Sequence, residues 1–123
     1  MQSGNPGSVT VLMQQPGLTS LFLGDLGEDA QNALLASVSV PHVDVVKVAH
    51  HGSADQSPAL YERIQARIDV ISVGQENSYG HPTAKTLELL RRLGGMVVRT
   101  DRAGMIAITS NGGELSMWSE HAG

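Results

Sequence analysis

Four side chains in this sequence stand out by their placement as candidates to hold a divalent cation or move a proton. They fall in three short polar stretches: Gly24-Asp25, Ala49-His50-His51-Gly52-Ser53 and Gly80-His81-Pro82. A carboxylate with two or three imidazoles is a workable ligand set for Zn²⁺ or Mn²⁺. Imidazole also titrates near neutrality, so the same histidines are candidates for general acid–base work. Each type has ordinary uses as well. Gly-Asp ends strands and caps helices, adjacent histidines sit in solvated loops, and a histidine before proline can simply flank a helix start. His42 precedes a strand instead of following one, and His121 lies in the terminal stretch, so neither joins the group.

The significance of the four depends on the elements that carry them. Val9 to Met13 alternates as a strand, Gln14-Gln15-Pro16-Gly17 reads as a turn, and Leu18 to Leu23 forms a second strand, giving a hairpin. Glu28 to Ser37 has helical spacing, with Ala30, Ala33, Leu34 and Val38 on one side. Val43 to Val48 is an apolar strand running straight into the paired histidines. Ser57-Pro58 marks an N-cap and first helical position for a helix to about Ala66. Ile68 to Val73 is a short buried strand, followed by a polar loop to Pro82. Thr83 to Leu93 is the strongest helix, with Leu87, Leu90 and Leu93 near one face and Gly94-Gly95 as its stop. Met96 to Thr100, a turn at Asp101 to Gly104, Met105 to Thr109, and a strand through Trp118 beyond Asn111-Gly112-Gly113 complete the chain.

Helices alternating with strands predict a layered α/β domain. Asp25, His50, His51 and His81 all follow the C-terminal ends of strands. If those strands run parallel, the four residues share one rim of the sheet.

Composition narrows the possibilities. Hydrophobic residues make up 41% and charged residues 16%, an ordinary globular balance. The formal charge of −4, with no basic cluster beyond Arg91 and Arg92, excludes nucleic-acid binding by a basic patch alone. With no cysteine there are no disulfides and no thiolate metal site. No apolar run approaches the roughly 20 residues of a membrane span, and Met1 to Gly7 lacks the features of a signal peptide. The reading is one domain or part of one over 1–123, with 1–7 and 119–123 as flexible ends.

Several blocks resemble one family in order. These are Ser20-Leu21-Phe22-Leu23-Gly24-Asp25, Val45-Val46-Lys47-Val48-Ala49-His50-His51-Gly52-Ser53, and Val70-Ile71-Ser72-Val73-Gly74 followed by Asn77-Ser78-Tyr79-Gly80-His81-Pro82. Val98-Arg99-Thr100-Asp101-Arg102-Ala103-Gly104 and the lead-in from Asn5 to Ser8 extend the likeness over about Asn5 to Ile108. Together they resemble the metallo-β-lactamase-like domain of ComEC-type DNA-internalisation (competence) proteins.

The resemblance implies an αββα sandwich, of which this chain supplies the C-terminal portion. It implies two divalent ions, Zn or Mn, in the complete domain, bridged by Asp25. His81 and His50 are the further candidate ligands, and His50 or His51 the candidate catalytic histidine; which takes which role stays open. Ser53, Asn77 and Tyr79, from the same blocks, are candidate substrate-binding residues. The implied activity is metal-assisted cleavage of phosphodiesters in DNA, by a bacterial membrane protein whose channel precedes this domain and whose domain faces outward. Alternatives are a hydrolase of small phosphoesters or lactones on the same fold, and a degenerate structural domain.

One departure is large. The family's His-x-His-x-Asp-His signature is missing, and no histidine precedes Asp25. The expectation is therefore a truncated domain that is inactive alone. Half of a face-to-face sandwich exposes a sheet face, which predicts a homodimer through that face or an N-terminal hairpin rearranged to cover it.

Overall fold

The computed structural model describes residues 9–74, 80–112 and 114–121. Strands β1 (Val11–Gln15) and β2 (Leu18–Phe22) form the expected hairpin, with Gln15 opposite Leu18 and the turn reduced to Pro16-Gly17. Proline presets one turn residue and Gly17, at φ 76°, supplies the left-handed one. Helix α1 (Glu28–Ser37) follows, then β3 (Val45–Lys47), a 3-10 turn at Ala49–Gly52, and α2 (Pro58–Ile64). Strand β4 (Ile68–Ile71), α3 (Ala84–Arg92), β5 (Met96–Arg99), one helical turn α4 (Thr100–Ala103) and the hairpin β6 (Ile106–Asn111) and β7 (Glu114–Ser119) complete the order.

The main sheet runs β1-β2-β3-β4-β5, with β1 antiparallel to β2 and every later neighbour parallel. The C-terminal ends of β2, β3, β4 and β5 consequently lie on one rim. Strand alternation gives the sheet two buried faces. On one, Leu21, Val46 and Ile71 pack with Leu60, Ile64, Leu89 and Leu90 of the helices. On the other, Val45, Ile68 and Val98 pack with Ile106, Ile108 and Leu115 of the second hairpin. Burying each such side chain contributes about 1.5–3 kcal/mol. The result is a mixed α/β architecture of helices, a five-stranded sheet and a two-stranded hairpin.

Two expectations change. The N-terminal hairpin does not fold across the open sheet face, because β2 is held in the sheet by its pairing with β3. The C-terminal hairpin covers part of that face, and Ser110 Oγ donates to Gly17 O at 2.8 Å across the layers. What stays open is a groove beside β1 and β2, lined by Met13, Gln15, Phe22 and Lys47 among others. In α1 the buried residue is Gln31, while Ala33 and Val38 are exposed. Beyond β7, Glu120 N donates to Met105 O and His121 N to Ala103 O. No helix among the described residues is long and apolar enough to cross a membrane.

Candidate functional site

The parallel rim collects the loops that the sequence singles out. His50 N donates to Gly24 O at 2.8 Å, so the backbone of the His-His-Gly turn is fastened beside Asp25. The His50 ring lies 5.8 Å from that of His81, edge-on, and 6.3 Å from that of His51. Three imidazoles from two loops, 31 positions apart in sequence, thus form one cluster.

The turn that presents them is strained. His50 (φ 50°, ψ 48°) and His51 (φ 55°, ψ 26°) are consecutive left-handed residues, a conformation that disfavours L-residues by roughly 1–2 kcal/mol each. Such a pair persists only where the surroundings over-determine it. Here the surroundings are buried side chains. Gln56 Nε2 donates to Ala49 O (2.8 Å) and Ser53 O (3.1 Å), holding both ends of the turn. Thr86 Oγ1 of α3 donates to Ser53 O at 2.6 Å. Thr83, the α3 N-cap, donates from its backbone N to Gly52 O at 3.0 Å. Ala49 N donates to the Tyr61 hydroxyl at 3.3 Å, and burial keeps that phenol protonated far above its ordinary range.

The individual rings differ. His51 Nδ1 lies 2.7 Å from Ser72 O. A carbonyl only accepts, so Nδ1 carries the proton and the neutral ring keeps its lone pair at Nε2. Among the described residues His50 Nδ1 is buried with no hydrogen-bond partner, the condition of a nitrogen kept for something other than packing. Burial, followed by the charges of His50 and His51, lowers the pKa of His81. Replacing His50 with Gln is therefore expected to move the His81 titration back up, as followed by imidazole NMR. An unchanged titration would remove His50 from the causes and leave burial and His51.

Asp25 is half-buried on the same rim. Among the described residues, no three or more His, Asp or Glu side chains stand together as a metal-holding group. The His50 nitrogen suits a cation, yet the donors among the described residues are an incomplete set for one. Ser53 is buried, and its hydroxyl accepts the Asp55 amide at 3.3 Å, so its present contact closes the loop. Asn77 and Tyr79 lie outside the described residues.

Sequence reasoning missed the supports. Gln31, Gln56, Tyr61 and Thr86 are buried polar residues without a periodic signature. It also missed the chemistry at the end of β5. Thr100 Oγ1 donates to Val73 O (2.9 Å) and accepts from Val73 N (2.7 Å), clamping β4 where the loop toward His81 begins. Arg99 grips Asp101 through two parallel bonds of 3.0 and 2.7 Å. The Arg99 guanidinium holds the Asp101 carboxyl below the usual range.

The chain matches no protein-family profile and no solved structure. It is 33% identical to ComE operon protein 3 of Bacillus subtilis over 105 residues, which is 85% of this chain and 14% of that protein. It is 26% identical to recombination protein 2 of Haemophilus influenzae over 108 residues, 87% of this chain and again 14% of the relative. The chain thus spans about a seventh of the length of these curated relatives. The two similarities support the relation to competence DNA-uptake proteins that the sequence blocks suggest.

Proposed function

We propose that this chain is the C-terminal part of a metallo-β-lactamase-like hydrolase domain in a competence DNA-uptake protein, and that the complete domain cleaves DNA phosphodiesters. The observation that carries the reading is the strained His50-His51 pair, gathered with His81 on the parallel rim and containing a buried Nδ1 without a hydrogen-bond partner among the described residues. Structural histidines need neither that strain nor that orphan.

In this reading His50 or His51 protonates the leaving oxygen of the phosphodiester, the ordinary part of a positioned imidazole. With Nδ1 held by the Ser72 carbonyl, His51 Nε2 is the nitrogen that takes up a proton, and only the resulting imidazolium can give it to the leaving oxygen. In the complete domain Asp25, with His81 or His50, would hold part of a centre of two divalent ions, Zn or Mn, whose chemistry would be to activate water and neutralise phosphoryl charge. Ser53, Asn77 and Tyr79 border the substrate. A preceding membrane channel is the neighbouring domain, and the chain lies on the outer side of the membrane. The apolar edge at β1, where Val11, Leu12 and Met13 are 42–44% exposed, is covered by the rest of the domain, or by a second copy when the chain is alone.

The incomplete donor set favours a second reading for the isolated chain, a structural module without activity. One experiment separates the two. The full-length protein with Mn²⁺ or Zn²⁺ is expected to cut fluorescent single- or double-stranded DNA. Loss of the acting histidine, tested as His50→Ala and His51→Ala, should lower kcat by about 10²–10⁴, and Asp25→Ala should weaken metal binding. No cleavage with either ion, or wild-type rates in both histidine variants, would overturn the hydrolase reading.

A further inference from the structure

The His-His-Gly turn and the Asp25 loop are joined by more than the backbone contact at His50. Gln31 in α1 is fully buried, and its Nε2 donates to Leu26 O (2.8 Å), the carbonyl of the residue after Asp25. The same Nε2 donates to Gln56 Oε1 at 3.0 Å. Gln56 passes the connection on, because its own Nε2 holds the carbonyls of Ala49 and Ser53 on either side of the paired histidines. Tyr61 donates to Gln56 Oε1 at 2.7 Å, and Gln31 Oε1 accepts from Ser57 N at 2.8 Å. Every donor hydrogen and each carbonyl oxygen of the two amides is engaged, in the one orientation that pairs them all. A second tie runs parallel to it, from Glu28 N at the start of α1 to Asp55 Oδ1 at 3.0 Å.

We propose that Gln31 and Gln56 are positioning residues, a buried amide relay that sets the Asp25 loop and the His50-His51 turn in register with each other. Neither touches a histidine ring. They act on the carbonyls flanking the reactive side chains, and so they fix where Asp25 and the imidazoles stand relative to one another. A buried glutamine left half-satisfied is costly, so the relay is fully made or it opens as a unit. That gives the two loops one shared transition in place of two independent ones. The functional meaning rests on reading the histidine rim as a reaction site, but the test is made without activity.

Hydrogen exchange on the unmodified chain comes first. The amides of Ala49, His50 and Ser57 are bonded to Tyr61 Oη, Gly24 O and Gln31 Oε1 respectively. They are expected to exchange through one common opening, with the same dependence on low denaturant. Independent opening of Ser57 would overturn the relay. Imidazole NMR of Gln31→Leu then compares it with Leu35→Ala, a packing loss on the same helix. Gln31→Leu should displace the His50 and His51 ring signals, with a non-additive effect in the Gln31→Leu/Gln56→Leu pair. Signals in Gln31→Leu no different from the Leu35→Ala control would reject the proposal. If Gln31→Leu does not fold, the exchange measurement on the natural chain decides. DNA cleavage enters neither arm, so a failed relay and a failed hydrolase reading remain distinguishable.

Discussion

Replacing Gly52 with alanine is expected to destabilise the chain by about 2–4 kcal/mol and to displace the histidine cluster. Gly52 has φ +78°, which disfavours alanine by about 1 kcal/mol or more. A Cβ there would stand 2.6 Å from Pro82 Cβ, 3.1 Å from Pro82 Cα and 3.3 Å from Ile71 Cγ2. None of these is the end of a flexible side chain, so the close approach adds an overpacking term of roughly 1–3 kcal/mol. Relief requires the Pro82 segment to move, and that segment carries His81 on one side and the α3 N-cap Thr83 on the other. Gly94 provides the contrast. Its φ is +85°, but a Cβ there meets no described atom within 4 Å, so Gly94→Ala carries only the conformational part, about 1 kcal/mol. Urea unfolding of both variants, with imidazole NMR of the folded fraction, measures the difference. A Gly52→Ala loss no larger than that of Gly94→Ala would show that the Pro82 turn yields easily and does not hold the histidines.

The rim was legible because it follows from topology. Apolar strands at 18–23, 43–48 and 68–73, each ending in a polar block, are enough to place Asp25, His50, His51 and His81 on one edge once the strands are parallel. Helix α1 was legible in its limits, Glu28 to Ser37, but not in its buried face. Gln31 takes the core position that hydrophobic spacing would give to Ala33 or Val38, because its amide satisfies backbone groups that an alkyl chain would leave unpaired. Nothing local marks that role, since its partners Gln56 and Ser57 lie 25 and 26 residues away. The C-terminal hairpin was legible as a hairpin, but not as a second layer. Alternation in Ile106 and Ile108 tells which side is apolar and not which surface it meets. The supposed turn at 101–104 is a helical turn, fastened by the Arg99–Asp101 pair whose geometry no spacing encodes.

Asp69 illustrates the same limit and carries the second large effect. It sits in β4 between Val46 and Val97, buried, where a run of apolar residues would lead one to expect another hydrophobe. Gly95 has no side chain at the point where a Cβ would lie 2.3 Å from Asp69 Oδ2, so the carboxyl occupies space that only a glycine leaves. Burial pushes the Asp69 pKa up from 3.8 to about 7. Between those values the folded chain keeps a proton that the unfolded chain has released, so stability falls as pH rises. The contribution is complete below pH 3.8 and is lost as pH rises through about 7. A shift of this size corresponds to roughly 4 kcal/mol once the group is fully ionised. Asp69→Asn keeps the shape and removes the ionisation. At pH 8 the variant should therefore be the more stable of the two by about that amount, and the advantage should vanish near the unfolded-state value. Chemical denaturation of both proteins across this range provides the test. Parallel stability curves from acid to pH 8 would mean that Asp69 titrates as an ordinary carboxylate, and that the strand tolerates a buried charge by some other contact.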